Sequence, residues 1–213
     1  MKVLITLGPT QEPIDSVRYI TTASSGKMGA ALAAETLRRG HQATIIAGPV
    51  NIGLPKDAHV LPVRTAAEMT KAALKELEKG YDILISTAAI ADYTPAKKVT
   101  GKIRSGKKGL KIGLAKTPKL TWEARKKFPG LFIAAFKAEH STPYEELIER
   151  AQNKLRKEDL DLIAANDINL HKFGSDENEV TLINRTGIVA RTKKESKEKI
   201  AKKIWDIIEK ERK

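Results

Sequence analysis

Cysteine is absent from the 213 residues, which excludes a disulfide framework and any thiolate chemistry. Histidine is scarce: His41, His59, His140 and His171 are scattered and lack the spacing of a metal-ligand set. Aromatic residues make up only 5% and do not interleave with the basic runs. The net charge of +13 would suit a nucleic-acid binder, but its distribution argues otherwise. Much of the excess lies in residues 193–213, which read as a solvated helix face, and in residues 97–111. A positive field of this kind also favours substrates carrying phosphates and a carboxylate. No apolar run approaches the length of a membrane span, and residues 1–7 read as a strand, because the run is too short for a secretory leader. The expectation is a soluble, cytoplasmic chain. No repeat or low-complexity linker divides it, so one domain, 1–213, is expected. The missing cysteine, with high Lys and Glu content, points to a heat-adapted source.

What is present centres on Arg18 to Gly29, R-Y-I-T-T-A-S-S-G-K-M-G. It follows the apolar run 3–7 and the turn Gly8-Pro9-Thr10, and it precedes strong helix formers from Ala30 to Glu35. Strand, small-residue loop and helix start together bring unpaired N–H groups beside the hydroxyls of Ser24 and Ser25. Such a helix start attracts anions. Gly26 and Gly29 allow close approach to the backbone. Two commoner phosphate motifs are excluded. In a Walker loop Thr21 would have to be Gly and Met28 a hydroxyl residue, and a G-x-G-x-x-G turn does not tolerate the seventeen residues between Gly8 and Gly26.

In chain order, periodicity predicts strands over 2–7, 42–47, 59–63, 82–87, 110–114, 131–137 and 160–165. Helices are predicted over 27–39 (stopped by Gly40), from the capping box Thr65-x-x-Glu68 to Gly80, from Thr117-Pro118 to about 128, and over 143–157 with Ser141 or Thr142 as cap. Residues 179–183 and 188–191 flank Asn184-Arg185-Thr186-Gly187 and read as a hairpin. A last helix carries Ile200, Ile204, Ile207 and Ile208 on one face. The class is α/β: a Rossmann-like, doubly wound, mostly parallel sheet with a small C-terminal β-hairpin and a terminal helix.

Ligands of such sheets bind beyond the carboxyl ends of the strands. That singles out Gly8, the small residues Ala88 and Ala89, and Asp92, which could accept from a hydroxyl or base amine. Phe136 and Asn166 could pack against and hold a nucleotide. Lys102 lies in a basic Gly-flanked loop, 97–109, that could close over a triphosphate. On spacing alone each of these residues also has an ordinary structural use. A nicotinamide-dependent oxidoreductase is disfavoured by the missing compact Gly motif and by Ala47-Gly48, where an acidic residue would close the second strand.

Gly8 to Ile20, G-P-T-x-E-P-x-D-x-V-R-Y-I, followed by S-S-G-K-M-G, resembles phosphopantothenoylcysteine synthetase, the second half of the bacterial and archaeal coenzyme A bifunctional protein. Matches continue in order through Ala88–Tyr93, Lys102-Ile103, Phe136–Glu139 and residues 160–167. The resemblance implies a ligase that joins 4′-phosphopantothenate to L-cysteine through an acyl-nucleotidate, with Mg²⁺ on the nucleoside triphosphate. It implies nucleotide contacts from Gly8, Ser24, Ser25, Gly26, Gly29, Phe136 and Asn166, and phosphopantothenate contacts from Ala88, Ala89 and Asp92. Arg18 would reach across from the neighbouring subunit of a homodimer, and Lys102 would assist acyl transfer. The K-M-G after Ser-Ser-Gly and the K-L-R-K ending at Lys157 resemble the CTP-using branch. Thr22 departs from the family, which usually has Asn there, and would have to serve the second half-reaction with a hydroxyl. A separate phosphopantothenoylcysteine decarboxylase is an implied partner.

Overall fold

The computed structural model describes residues 1–105, 109–169 and 174–212. Gly106, Lys107 and Lys108 of the basic loop, and His171, lie outside the described residues. β1 (Lys2–Leu7) leads through a hairpin, β2 (Gln11–Pro13) and β3 (Tyr19–Thr21), into α1 (Lys27–Arg38). β4 (Gln42–Ala47), β5 (His59–Pro62), α2 (Ala66–Leu77) and β6 (Ile83–Ser86) follow. Next come β7 (Tyr93–Pro95), β8 (Leu114–Lys116), α3 (Leu120–Lys127), β9 (Phe132–Glu139), α4 (Tyr144–Lys157) and β10 (Leu162–Asp167). The chain closes with β11 (Glu177–Asn178), β12 (Thr181–Asn184), β13 (Gly187–Arg191), β14 (Glu195–Ser196) and α5 (Lys197–Glu211).

Eight strands form one sheet in the order β13-β12-β10-β9-β6-β1-β4-β5. The six strands from β10 to β5 are parallel, and the β12–β13 hairpin adds two antiparallel strands at one edge. The chain runs outward from β1 through β4 to β5, then returns to place β6 on the other side of β1. That reversal opens a crevice at the carboxyl ends of β1 and β6.

Strand alternation sends β1 to both faces. Val3, Ile5 and Leu7 join Leu32 of α1 and Ile200, Ile204, Trp205 and Ile208 of α5. Leu4 packs on the opposite face with Met69 and Ala73 of α2, Ala124 of α3 and Ala151 of α4. Three layers result, as the doubly wound expectation requires. The predicted docking face of the last helix is present, with Ile207 half-buried beside it. The capping box also forms: the Thr65 hydroxyl accepts from the Glu68 N–H, and Glu68 Oε2 accepts from the Thr65 N–H, both at 3.2 Å. No described helix is long and apolar enough to cross a membrane.

Three expectations are corrected. The segment 110–114 does not join the main sheet; only its last residue enters a strand, β8, which pairs antiparallel with β7. Leu110, Ile112 and Leu114 are exposed there, so the apolar run has no core behind it. Thr117 does not cap α3, because its hydroxyl donates to the Ala91 carbonyl at 2.5 Å and its N–H to the Asp92 carbonyl at 3.0 Å. Neither Ser141 nor Thr142 caps α4, whose N-cap is Pro143 without a side-chain bond.

Candidate active site

The crevice is built from the ends of elements. Past β1 and β6 the two strands stay zipped, with Ala89 N–H donating to Gly8 O at 2.9 Å and Thr10 N–H to Ala89 O at 3.3 Å. Ala91 N–H donates to Thr10 Oγ at 3.0 Å. This fixes the Gly8–Thr10 turn against the small residues Ala88 and Ala89. On the other side, Gly26 is the N-cap of α1 at φ +78°, and no side chain caps the helix. Only a long 3.4 Å contact runs from Lys27 N–H to Ser25 Oγ. With no acidic residue in its first turn, α1 presents its N–H groups and positive dipole end to the space above the sheet.

That space is a cavity of about 440 Å³. Thr22, Ser24, Ser25, Gly26, Gly29, Ala88, Ala89, Asp92, Phe136 and Asn166 all line it, brought together from four separate stretches of sequence. Phe136 stands on β9 beside Ala164 of β10, and Asn166 ends its run at the mouth, nearly buried. Thr22 Oγ lies 3.4 Å from the Ala89 carbonyl, to which it donates. Asp92 is not a helix cap; its carboxylate is exposed and pairs with Lys119 at 2.5 Å.

Gly8 sits behind the wall rather than on it. A Cβ there would meet Val50 at 2.6 Å and the Gly48 carbonyl at 3.2 Å, so its role is to let the β1 and β4 ends close up. Gly26 and Gly29 are similarly constrained from behind. A Cβ at Gly26 would approach Val50 at 2.8 Å, and one at Gly29 would meet Leu7 at 2.4 Å and Thr87 at 2.5 Å. Close packing of α1 on the strands, together with the left-handed φ of Gly26, thus demands these glycines.

Arg18 and Lys102 do not line the cavity. They meet each other's neighbourhood instead. The buried Asp15 carboxylate accepts from the N–H groups of Val17 (2.9 Å), Arg18 (2.7 Å) and Ile103 (3.1 Å). Arg18 pairs with the same carboxylate at 3.2 Å and donates to Ile103 O at 3.1 Å. The N–H donated by Val17, and those from Ile103 and Arg18, hold the Asp15 carboxyl below the usual carboxylate range against the opposing effect of burial. Ser16 N–H to Gly101 O and Val99 N–H to Ile14 O, each 3.2 Å, complete the clasp. Lys102 therefore projects from a backbone that is pinned on both sides.

The walls also carry residues that sequence reasoning did not select: Lys27, Lys119, Lys137, Lys154 and Lys197, with Asp92 and Glu177 as the only carboxylates of the lining. Four of the five lysines are ion-paired, Lys27 with Asp176, Lys119 with Asp92, Lys137 with Glu139 and Lys154 with Glu158, and Lys197 donates to the Ser175 carbonyl. Lys27 was visible inside S-S-G-K-M-G but had no distinguishing spacing. Lys197 opens a helix 170 residues later, and nothing in a linear reading joins it to this place. Among the described residues no group of three or more acidic or histidine side chains could hold a metal ion.

Residues 1–211 match the family described as DNA/pantothenate metabolism flavoprotein C-terminal domain. The chain is 39% identical over 210 residues to the coenzyme A biosynthesis bifunctional protein CoaBC of Thermococcus kodakarensis, covering 98% of this chain and 51% of that protein. It thus spans about half the length of the curated relatives it matches. A crystal structure of the C-terminal domain of such a bifunctional protein superposes with a TM-score of 0.80 at 29% identity, over 98% of this chain and 95% of that one. The DNA/pantothenate metabolism flavoprotein from Streptococcus pneumoniae shares the fold at a TM-score of 0.86, 24% identity and 98% coverage of both chains. The resemblance read from the ordered motifs is thereby borne out, and the chain belongs to the DNA/pantothenate metabolism flavoprotein C-terminal domain family, the C-terminal part of the coenzyme A biosynthesis bifunctional proteins.

Proposed function

We propose that this chain is a phosphopantothenate–cysteine ligase that uses CTP in preference to ATP. The observation that carries the reading is the uncapped N-terminus of α1 opening, at the sheet's switch point, into a cavity lined by five lysines. In the first half-reaction a carboxylate oxygen of 4′-phosphopantothenate attacks the α-phosphorus, the bond to the β-phosphate breaks, and pyrophosphate leaves. In the second, the cysteine amine attacks the acyl carbon, CMP leaves, and the amine gives up a proton.

The N–H groups of Gly26 and the first turn of α1, with Ser24 and Ser25, cradle the phosphates. Gly8 supports that cradle from behind, Gly29 packs it on the sheet, and Phe136 and Asn166 flank the nucleoside. Ala88, Ala89 and Asp92 hold phosphopantothenate, with Arg18 supplied by the partner in a homodimer. Lys102 stabilises the developing negative charge during acyl transfer, and Thr22 takes the place of the family asparagine with a hydroxyl. A Mg²⁺ ion on the triphosphate would supply charge neutralisation of the phosphates. Asp92, Asn166, Glu177 and Asn178 of the wall are the carboxylate and amide donors that would reach such an ion. A cytoplasmic location and a phosphopantothenoylcysteine decarboxylase as partner complete the reading; the relatives that the chain matches over about half their length are named bifunctional.

The test is pyrophosphate release with phosphopantothenate and each of the four ribonucleoside triphosphates, with and without cysteine. Release that requires phosphopantothenate and is fastest with CTP is expected. Release with ATP alone overturns the nucleotide assignment, and release with none overturns the ligase.

A further inference from the structure

The nucleotide side of the cavity ends at a charge cluster that the roles above leave unused. Lys27, at the first position of α1, donates to the Gly174 carbonyl at 2.8 Å and to Asp176 Oδ1 at 2.6 Å. Lys197, at the first position of α5, donates to the Ser175 carbonyl and lines the same cavity. Its own N–H donates to the Asp176 carbonyl at 3.1 Å. The two-residue pairing of β11 with β14 ties the 174–178 turn to the start of α5, so Lys197 is delivered from the end of the chain to a place beside the start of α1. Burial, and then the neighbouring Lys27 ammonium, push the Lys197 amine below its ordinary value. Two cations are thus held near one another, with Asp176 paired to Lys27 and Glu198 also acting on Lys197. The Asp176 carboxylate is poorly committed: its side chain is 87% exposed, against 35% for Lys27. An ion pair so exposed contributes little, and its partner exchanges easily.

We infer that Lys27 and Lys197 form a polyphosphate grip at the cavity's edge, and that Asp176 is the counter-ion a phosphate displaces. This rests on the cavity taking a nucleoside triphosphate. The β- and γ-phosphates, extending from the α1 cradle, meet two ammonium groups from opposite ends of the chain, and charge-assisted bonds to phosphate oxygens replace the bond to Asp176. The opposed signs of the variants make the idea sharp, since removing Asp176 helps the ligand while removing either lysine hurts it.

Inorganic tripolyphosphate, titrated calorimetrically into the full chain, reads the grip without nucleoside or chemistry. Lys197→Ala and Lys27→Ala are expected to raise its Kd about tenfold or more, since each removes a charge-assisted bond. Asp176→Asn, which keeps the size and removes the charge, is expected to lower Kd several-fold. Lys203→Ala, the same charge change further along α5 where Lys203 pairs with Glu195, is expected to leave Kd unchanged, and Lys197→Arg to retain most of the affinity. Wild-type affinity in Lys197→Ala, unchanged or weaker binding in Asp176→Asn, equal losses in Lys203→Ala, or no tripolyphosphate binding by the unaltered protein each overturn the grip. The ligase reading fails separately: tripolyphosphate binding with the expected pattern, but no phosphopantothenate-dependent pyrophosphate release, leaves the grip standing and removes the enzyme.

Discussion

At the scale of single residues, glycine carries the clearest lesson. Sequence reasoning assigned Gly26 and Gly29 to ligand approach, and both do face the cavity. The tighter constraint comes from the other side, where Leu7, Val50 and Thr87 leave no room for a Cβ. Gly26→Val would add a branched side chain at φ +78°, costing roughly 1–3 kcal/mol in backbone strain and a similar amount in overpacking. Loss of triphosphate binding in this variant should therefore come with a lowered unfolding midpoint, measured side by side by calorimetry and denaturant titration. Full stability with lost binding would show that the contact with Val50 relaxes freely. Spacing could reveal that a small residue was needed at position 26, but not which neighbour needed it, because Val50 lies in a different loop.

At the scale of elements, the basic loop after β7 has few apolar residues and is nevertheless held down. Its apolar poverty was legible; its anchorage was not, because Asp15 in the β2–β3 hairpin binds Ile103 across 88 positions. Periodicity found the long strands and helices, where the side-chain period reports burial directly. It missed the two-residue and three-residue strands, which contain too few residues to show a period, and it placed caps at Thr117 and at Ser141 or Thr142 because hydroxyls near helix starts usually cap. Here the Thr117 hydroxyl had a nearer acceptor in Ala91. The clasp gives Lys102 a fixed base from which to act. Lys102→Ala is expected to lower kcat about tenfold to a thousandfold with a smaller change in nucleotide affinity, the pattern of a group used mainly in the transition state. Lys98→Ala, a like charge change on the same loop, should do little. Steady-state kinetics of the two variants decides, and equal losses would make the loop a diffuse positive field.

At the scale of the whole molecule, α1 and α5 are joined by more than apolar contact. Glu35 accepts from Arg38 at 2.6 and 2.5 Å and from Arg39 at 2.7 Å, while Arg39 reaches Glu209 at 2.7 Å and Asp206 at 2.5 Å. The Arg38 hydrogen bond and then, against burial, the Arg39 bond hold the Glu35 carboxyl down at about 2, from 4.5. A carboxyl depressed in the folded state stabilises fully above its unfolded value and loses that contribution as the pH falls through its folded value. Glu35→Gln is therefore expected to cost on the order of 3 kcal/mol at pH 7. The gap from the unaltered protein should close as the pH drops from 4.5 towards 2. Urea unfolding at several pH values reads this, and a gap that stays constant down to the acid end would place the stabilisation elsewhere.

The joint between α1 and α5 also sets a timetable. Trp205 donates its indole N–H to the Leu32 carbonyl, 173 positions earlier, and fills the space above β1. While the chain is being synthesised, α1 has left the ribosome long before its cover exists, and Leu32 and Ala33 stay bare until residue 208 has emerged. Contacts this distant in sequence make folding slow, and the nascent chain carries an open apolar face while the 173 positions between Leu32 and Trp205 are made. Because Lys197 opens the same helix, the element that covers α1 also closes the edge of the cavity, so the hydrophobic seal and that part of the cavity wall form in a single event.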